Sequence, residues 1–176
     1  ADINYNDWLI DTNKIEKLIT KNTKAIMIVH LHGLMCDMDK IRKIAKKNKI
    51  KIIEDAAQAH GSKYKNNNPG YYSDAATLSF YPTKNLGAIG EGGLILTNNK
   101  MIYQKTKRMR AWSHKKFNFY ELSFNYRMSE FIAASLNIKI KYLNSDIKKR
   151  IKIADLYKKN LKIKTFSNFN SKIKIH

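Results

Sequence analysis

The chain contains short apolar runs, separated by longer segments in which apolar residues recur every three or four positions. Four of these runs predict β-strands: residues 24–29, 50–53, 75–80 and 93–97. The first run is nearly continuous in apolar residues, a pattern typical of a strand buried on both faces of a parallel sheet. The sequence therefore predicts a domain with a sheet made of short strands.

The segments of helical spacing predict helices before, between and after these strands. They cover residues 11–19, 37–47, 100–112, 129–143 and 146–161. Short links join the second helix to the first two strands, so strand, helix and strand form a βαβ unit with parallel strands. Ligands in such sheets bind at the carboxyl ends of the strands. Asp55 and Gln58 follow the second strand at that end.

The third predicted strand leads into a loop that carries Lys84. Pro82 excludes a continuous helix or a central strand at this point. Four of the seven glycines of the chain follow the lysine within nine residues: Gly87, Gly90, Gly92 and Gly93. Such a loop bends tightly or approaches another group closely. It presents Lys84 at a strand end, where chemistry is expected.

Composition narrows the class of protein. A chain of 176 residues with 43% hydrophobic residues has the size and the core of one domain. It has neither a run of 18 apolar residues nor a secretory leader pattern, so we expect no membrane association. The single cysteine, Cys36, excludes an internal disulfide framework and favours a reducing, cytoplasmic compartment.

The formal net charge of +20 raises the question of nucleic-acid binding. Of the 34 basic residues only five are arginines, and the lysines are scattered among many Ile and Asn residues. This pattern favours codon bias in an AT-rich genome and a solvated surface over a nucleic-acid site. His60 and the pair His30 and His32 could suggest a metal. A His-x-His pair with one cysteine nearby is not a convincing ligand set, so no metal site is predicted.

Four polar residues near the predicted strand ends suggest a cofactor site: Asp55, Gln58, Ser79 and Lys84. A lysine amine forms a Schiff base with an aldehyde cofactor, of which pyridoxal phosphate is the usual one. That cofactor needs a carboxylate facing its pyridine nitrogen, which Asp55 can supply. Its phosphate needs hydrogen-bond donors, and Ser79 can supply one. The amide of Gln58 can contact the ring without adding charge. Each residue alone has an ordinary structural explanation, so the prediction depends on their joint arrangement.

Longer motifs carry a family resemblance. Residues 54–61, 79–87 and 90–93 resemble, in order and spacing, the DegT/DnrJ/StrS family of sugar aminotransferases. Further matches occur at residues 30–33 and 125–127, and the resemblance covers about residues 20–160. It implies the large α/β domain of a fold-type I pyridoxal-phosphate enzyme, with a mostly parallel sheet flanked by helices.

The resemblance also implies roles for particular residues. Lys84 is similar to the family's Schiff-base lysine and Asp55 to the partner of the pyridine nitrogen. Gln58 is similar to the ring-contacting residue and Ser79 to a phosphate ligand. Asn125 matches an asparagine that reaches the phosphate of the neighbouring subunit's cofactor, which implies a homodimer.

The implied activity is transfer of an amino group from an amino acid, usually glutamate, to a nucleotide-linked keto-sugar. Two alternatives remain open. One is other pyridoxal-phosphate chemistry on the same scaffold, such as dehydration of a sugar or of an aromatic precursor. Family members that dehydrate the sugar often replace the lysine with histidine, so Lys84 favours transamination. The other is a catalytically inert, truncated protein whose basic surface binds polyanions.

Family members are considerably longer, so the resemblance implies an internal fragment that is incomplete at both ends. We expect residues 1–143 to belong to the large cofactor-binding domain. Residues 144–176 are expected to form a helix and a tail that lead towards a missing carboxyl-terminal small domain. The sequence departs from the family pattern at His32, where tyrosine is common, and at Glu91, where aspartate is usual.

Overall fold

The computed structural model describes residues 1–110 and 122–161. Its strands form one four-stranded sheet in the order β1-β2-β3-β4. They are β1 (Ala25–Val29), β2 (Lys51–Asp55), β3 (Ala75–Ser79) and β4 (Gly93–Leu96). The α-helices among the described residues are α1 (Thr12–Ile15), α2 (Met38–Asn48), α3 (Lys100–Met109), α4 (Glu130–Lys139) and α5 (Leu143–Asn160). Single 3-10 turns cover Glu16–Leu18, Leu31–Gly33 and Ile140–Tyr142.

The sheet is mostly parallel. β1 pairs with β2 and β2 with β3 in parallel, whereas β4 runs antiparallel to β3. The carboxyl ends of β1, β2 and β3 therefore lie at one edge, and the lysine loop leaves β3 at that edge and returns into β4. The prediction of a mostly parallel sheet flanked by helices is confirmed.

The main core lies between α2 and one face of the sheet. Ile26, Ile28 and Ile52 point to this face and pack with Met38 and Ile41 of the helix. The Asp37 side chain caps α2 by accepting a hydrogen bond from the Lys40 backbone N–H at 3.1 Å. The apolar positions recur every three or four residues and lie on one side of the helix, so α2 buries that side on the sheet.

Within the described residues, the opposite face of the sheet is open. Burial alternates along β1, so Met27 is 63% exposed and Val29 is 44% exposed while their neighbours are buried. The prediction that this strand is buried on both faces is therefore wrong for the described residues. The physical reason is that the α2 crossover covers only one face of the sheet.

The carboxyl-terminal helices differ from the prediction at their junction. A 3-10 turn joins α4 directly to α5, so no loop separates them near residue 144. The start of α5 packs on the rest of the fold, because buried Ile147 lies against Gly61. The domain division after residue 143 stays a prediction. The expected tail after residue 161 lies outside the described residues.

No helix formed by residues 1–110 and 122–161 is both long and apolar enough to cross a bilayer. In those residues, no cluster of three or more His, Cys, Asp or Glu side chains could hold a metal ion.

Candidate active site

Four of the predicted site residues lie at the carboxyl edge of the parallel strands. Asp55 ends β2 and Ser79 ends β3. Because Asp55 pairs with Thr77, Ser79 is two residues further along the neighbouring strand and points to the same face. Strand spacing and rise place the two Cα atoms about 8 Å apart. Gln58 lies in the turn after β2, and Lys84 lies in the loop after β3.

Three of these side chains are each held through one atom by a backbone N–H. Asp55 Oδ1 accepts a hydrogen bond from the Ala57 backbone N–H at 3.0 Å. Gln58 Oε1 accepts one from the His32 backbone N–H at 2.9 Å. Ser79 Oγ likewise accepts from the Tyr81 amide at 3.3 Å. Within the described residues, Asp55 Oδ2, Gln58 Nε2 and the Ser79 hydroxyl proton have no partner. The fold thus orients each side chain and leaves one polar group available.

Lys84 lies in a closed loop. The backbone N–H of Lys84 donates to the Tyr81 carbonyl at 2.9 Å, and the Phe80 carbonyl accepts from the Ala88 N–H at 2.8 Å. The half-buried Lys84 side chain makes no hydrogen bond or ion pair within residues 1–110 and 122–161. At Gly87 an added Cβ would overlap the Pro82 carbonyl, so the turn after the lysine requires glycine. The loop therefore fixes the backbone of the lysine while its amine stays uncommitted.

Asn125 is the fifth predicted site residue, and it does not lie at the end of a parallel strand. It is exposed in the segment before α4, where its Oδ1 accepts a hydrogen bond from Arg127 Nε at 3.5 Å. Its neighbour Tyr126 donates a backbone hydrogen bond to the Arg110 carbonyl at the end of α3. Among the described residues, no hydrogen bond or ion pair joins Asn125 to the strand edge, so its role towards a partner subunit's cofactor stays a prediction.

A buried pair behind Asp55 was missed by the sequence reasoning. His30 Nε2 and Glu54 Oε2 lie 2.7 Å apart, and both side chains are almost completely buried. Glu54 Oε1 also accepts from the Gly70 N–H at 3.1 Å, and His30 Nδ1 accepts from the Cys36 N–H at 3.2 Å. The available signal was alternation, because Glu54 and Asp55 are adjacent in a strand and must point to opposite faces.

His60 is a second residue that the sequence reasoning left without a role. Its ring is 3% exposed and lies 5.9 Å from the Phe80 ring, measured between centroids. Burial lowers the pKa of His60, the Ser79 backbone opposes that shift, and the charge of Lys84 lowers the pKa further. His60 is therefore a neutral ring below the start of the lysine loop.

The sequence comparison decides the family. The sequence model described as the DegT/DnrJ/EryC1/StrS aminotransferase family matches residues 1–171. The chain belongs to this family. The predicted family is confirmed, and the match extends beyond the motifs that indicated it.

Individual relatives agree with this assignment. The chain is 48% identical over 158 residues to a dTDP-3-amino-3,6-dideoxy-alpha-D-galactopyranose transaminase of Aneurinibacillus thermoaerophilus, covering 89% of this chain and 44% of the relative. It is 35% identical over 179 residues to a GDP-perosamine synthase of Escherichia coli O157:H7, covering 100% of this chain and 47% of the relative. The chain therefore spans less than half the length of these relatives.

A solved structure supports the fold. The crystal structure of NtdA from Bacillus subtilis with bound cofactor PMP matches with a TM-score of 0.81 and 39% sequence identity. The match covers 89% of this chain and 36% of that protein. The fold seen here is thus shared by part of a protein whose structure was solved with the cofactor PMP.

The chemistry of the donor set fits such a cofactor. A primary amine, an anchored carboxylate with a free oxygen, an amide and a hydroxyl are the groups that a pyridoxal phosphate site requires. Here Lys84, Asp55, Gln58 and Ser79 supply them at one sheet edge. The residues present therefore fit the group that the family implies.

Proposed function

We propose that the protein is a pyridoxal-phosphate-dependent aminotransferase that acts on a nucleotide-linked keto-sugar, with an amino acid, expected to be glutamate, as donor. One observation carries the proposal. At one sheet edge, three polar side chains are each anchored by one atom with a second polar group free among the described residues. The loop that leaves the same edge carries Lys84, whose amine makes no hydrogen bond or ion pair in that part of the chain. The transaminases and the synthase among the relatives support the substrate class.

The proposed roles follow from the free groups. Lys84 Nζ would bond covalently to the cofactor, and Asp55 Oδ2 would accept a hydrogen bond from the protonated ring nitrogen. Ser79 would donate its hydroxyl proton to the phosphate, and the Gln58 amide would contact the ring. When bound, the cofactor supplies an electron-accepting ring that stabilises negative charge on the carbon that loses a proton.

Lys84 would also transfer a proton during the reaction. Once its amine is released from the cofactor, Lys84 Nζ would take a proton from the donor carbon and return it at the cofactor carbon. Asp55 would be held in place by the Ala57 N–H, which donates a hydrogen bond to its Oδ1 at 3.0 Å. The free oxygen of the same carboxylate would then keep the ring nitrogen protonated.

Two further features belong to the same proposal. Asn125 would contact the phosphate of the cofactor held by a second copy of the chain, so the enzyme would be a homodimer. The exposure of Asn125 is consistent with a contact made across an interface. We also propose a cytoplasmic location, where nucleotide sugars are made.

The test is the Lys84→Ala variant. Added pyridoxal phosphate should give the purified wild-type protein a visible absorbance band, and Lys84→Ala should abolish both the band and amino transfer to a nucleotide-linked keto-sugar. Lys105→Ala, which alters an exposed lysine on α3, should leave both unchanged. An unchanged band in Lys84→Ala would refute the assignment. No band in the wild-type protein would favour the inert, polyanion-binding alternative.

A further inference from the structure

Two loops at the carboxyl edge of the sheet are joined by hydrogen bonds that run in opposite directions. The first loop contains the 3-10 turn Leu31–Gly33 after β1, and the second is the turn region that follows β2. The His32 backbone N–H of the first loop donates to Gln58 Oε1 of the second at 2.9 Å. In the other direction, the Ser62 hydroxyl of the second loop donates to the Gly33 carbonyl of the first at 2.5 Å. Each loop therefore holds the other.

The hydrogen bond from Ser62 is buried, whereas the one to Gln58 is exposed. Ser62 is 1% exposed, and Gly33 is buried as well. A Cβ added at Gly33, where φ is +91°, would lie 3.2 Å from the Gln58 carbonyl oxygen, so the backbones of the two loops are in close contact. An exposed hydrogen bond competes with water, while a buried one that is lost leaves an unsatisfied group in the interior. The bond from Ser62 is therefore the firmer connection between the loops.

Backbone hydrogen bonds shape each loop separately. In the first loop the Gly33 N–H donates to the His30 carbonyl at 3.1 Å, and in the second the Ser62 N–H donates to the Ala59 carbonyl at 3.1 Å. Because each of these bonds lies within one loop, neither sets the distance between the two loops. The bond from the Ser62 hydroxyl does set that distance, and it ends on the residue that follows His32.

We propose that Ser62 is a positioning residue for Gln58: by tying the two loops together, its hydroxyl keeps the His32 N–H on Gln58 Oε1 and so turns Gln58 Nε2 towards the cofactor. The oxygen and the amino group of a glutamine amide share one carbon, so fixing the oxygen also fixes the direction of the amino group. The inference rests on the proposed function for the contact between Gln58 and the cofactor ring, whereas the connection between the loops requires no cofactor.

The first experiment measures hydrogen exchange of the His32 backbone amide by NMR in the cofactor-free protein. Gln58→Ala removes the acceptor, so this amide should exchange several-fold faster than in wild type. Ser62→Ala should accelerate the same exchange several-fold, while the amides of β1 and β2 keep their wild-type rates. The matched control is Ser73→Ala, because the Ser73 hydroxyl also donates to a backbone carbonyl, that of Ala75, but lies before the start of β3. It should leave the exchange at His32 unchanged. A wild-type exchange rate at His32 in Ser62→Ala would overturn the proposal.

The second experiment measures the dissociation constant of pyridoxal phosphate from the visible band. Ser62→Ala should weaken binding about three- to ten-fold, the effect of one lost hydrogen bond. In a Gln58→Ala background the same change should have an effect of less than about two-fold, because the residue through which Ser62 acts is already absent. Ser62→Cys keeps a weak donor and should lie between Ser62→Ala and wild type. Equal losses in the two backgrounds would show that the hydroxyl serves the fold alone and would overturn the proposal.

These outcomes separate the inference from the proposed function. If wild type forms the band and Ser62→Ala binds the cofactor as tightly as wild type, the positioning role is refuted while the cofactor assignment stands. If wild type forms no band, the proposed function fails, and the exchange rate at His32 still decides whether Ser62 holds Gln58 in place. If Ser62→Ala does not fold, Ser62→Cys replaces it in both experiments, and wild-type exchange and affinity in that variant would overturn the proposal.

Discussion

Replacing Glu54 with glutamine should destabilise the protein although the side chain keeps its shape. Glu54 accepts two hydrogen bonds, from His30 Nε2 at 2.7 Å and from the Gly70 N–H at 3.1 Å. His30 Nδ1 already accepts from the Cys36 N–H, so the ring proton must be on Nε2. The site therefore presents two donors to a side chain that has an acceptor on each side.

Glutamine has one acceptor and one donor, so it cannot satisfy this arrangement. If its oxygen faces His30, its amino group faces the Gly70 N–H. If it is turned round, its amino group faces the His30 Nε2–H. Moving the ring proton to Nδ1 only transfers the conflict to the Cys36 N–H. One hydrogen bond to a charged group is lost and one buried donor faces another, a cost of about 2–4 kcal/mol.

The assay is urea unfolding of the purified protein, followed by far-ultraviolet circular dichroism. The control is Glu16→Gln, because Glu16 pairs with Lys47 at the surface and such pairs contribute about 0–1 kcal/mol. A loss below about 1 kcal/mol in Glu54→Gln, or a loss equal to that of the control, would show that the buried network is not built as described.

Two other predictions concern the lysine loop and the single cysteine. Gly87→Ala should lower stability by about 1–3 kcal/mol and weaken pyridoxal phosphate binding, because its Cβ would overlap the Pro82 carbonyl. At Gly90 an added Cβ would meet only the flexible end of Ile132, so Gly90→Ala should reduce stability and binding less than Gly87→Ala in the same measurements. Equal losses in the two variants would contradict the proposed constraint at Gly87. Burial raises the pKa of the Cys36 thiol to about 12. A thiol reagent at pH 8 should therefore modify Cys36 only after the protein unfolds. Rapid labelling of the folded protein would contradict the burial of this side chain.

Local patterns in the sequence were sufficient to predict the strands, the helices and the loop that carries the candidate site. The apolar runs predicted all four strands of the described sheet to within two residues, because a strand's pattern is a property of its own side chains. The spacing of apolar residues over 37–47 predicted α2. Pro82 and the glycines after Lys84 predicted the loop, since their backbone restrictions act locally.

The location of the candidate site could be predicted from the sequence for a related reason. Parallel strands bring their carboxyl ends to one edge, so Asp55, Gln58, Ser79 and Lys84 could be placed together once the βαβ unit was recognised. The anchoring of these side chains could not be foreseen. The amide that holds Gln58 belongs to His32, 26 residues earlier, and only the packing of one loop on another brings the two together.

By itself the sequence determined the family, the strand and helix segments and the residues that carry the proposed chemistry. Only the tertiary structure decided that one face of β1 is exposed, that β4 runs antiparallel and that α4 passes into α5 without a loop. It also decided that Glu54 meets His30 and that the His60 ring is buried beside Phe80. These features depend on which segments distant in sequence pack together, and local sequence patterns do not contain that information.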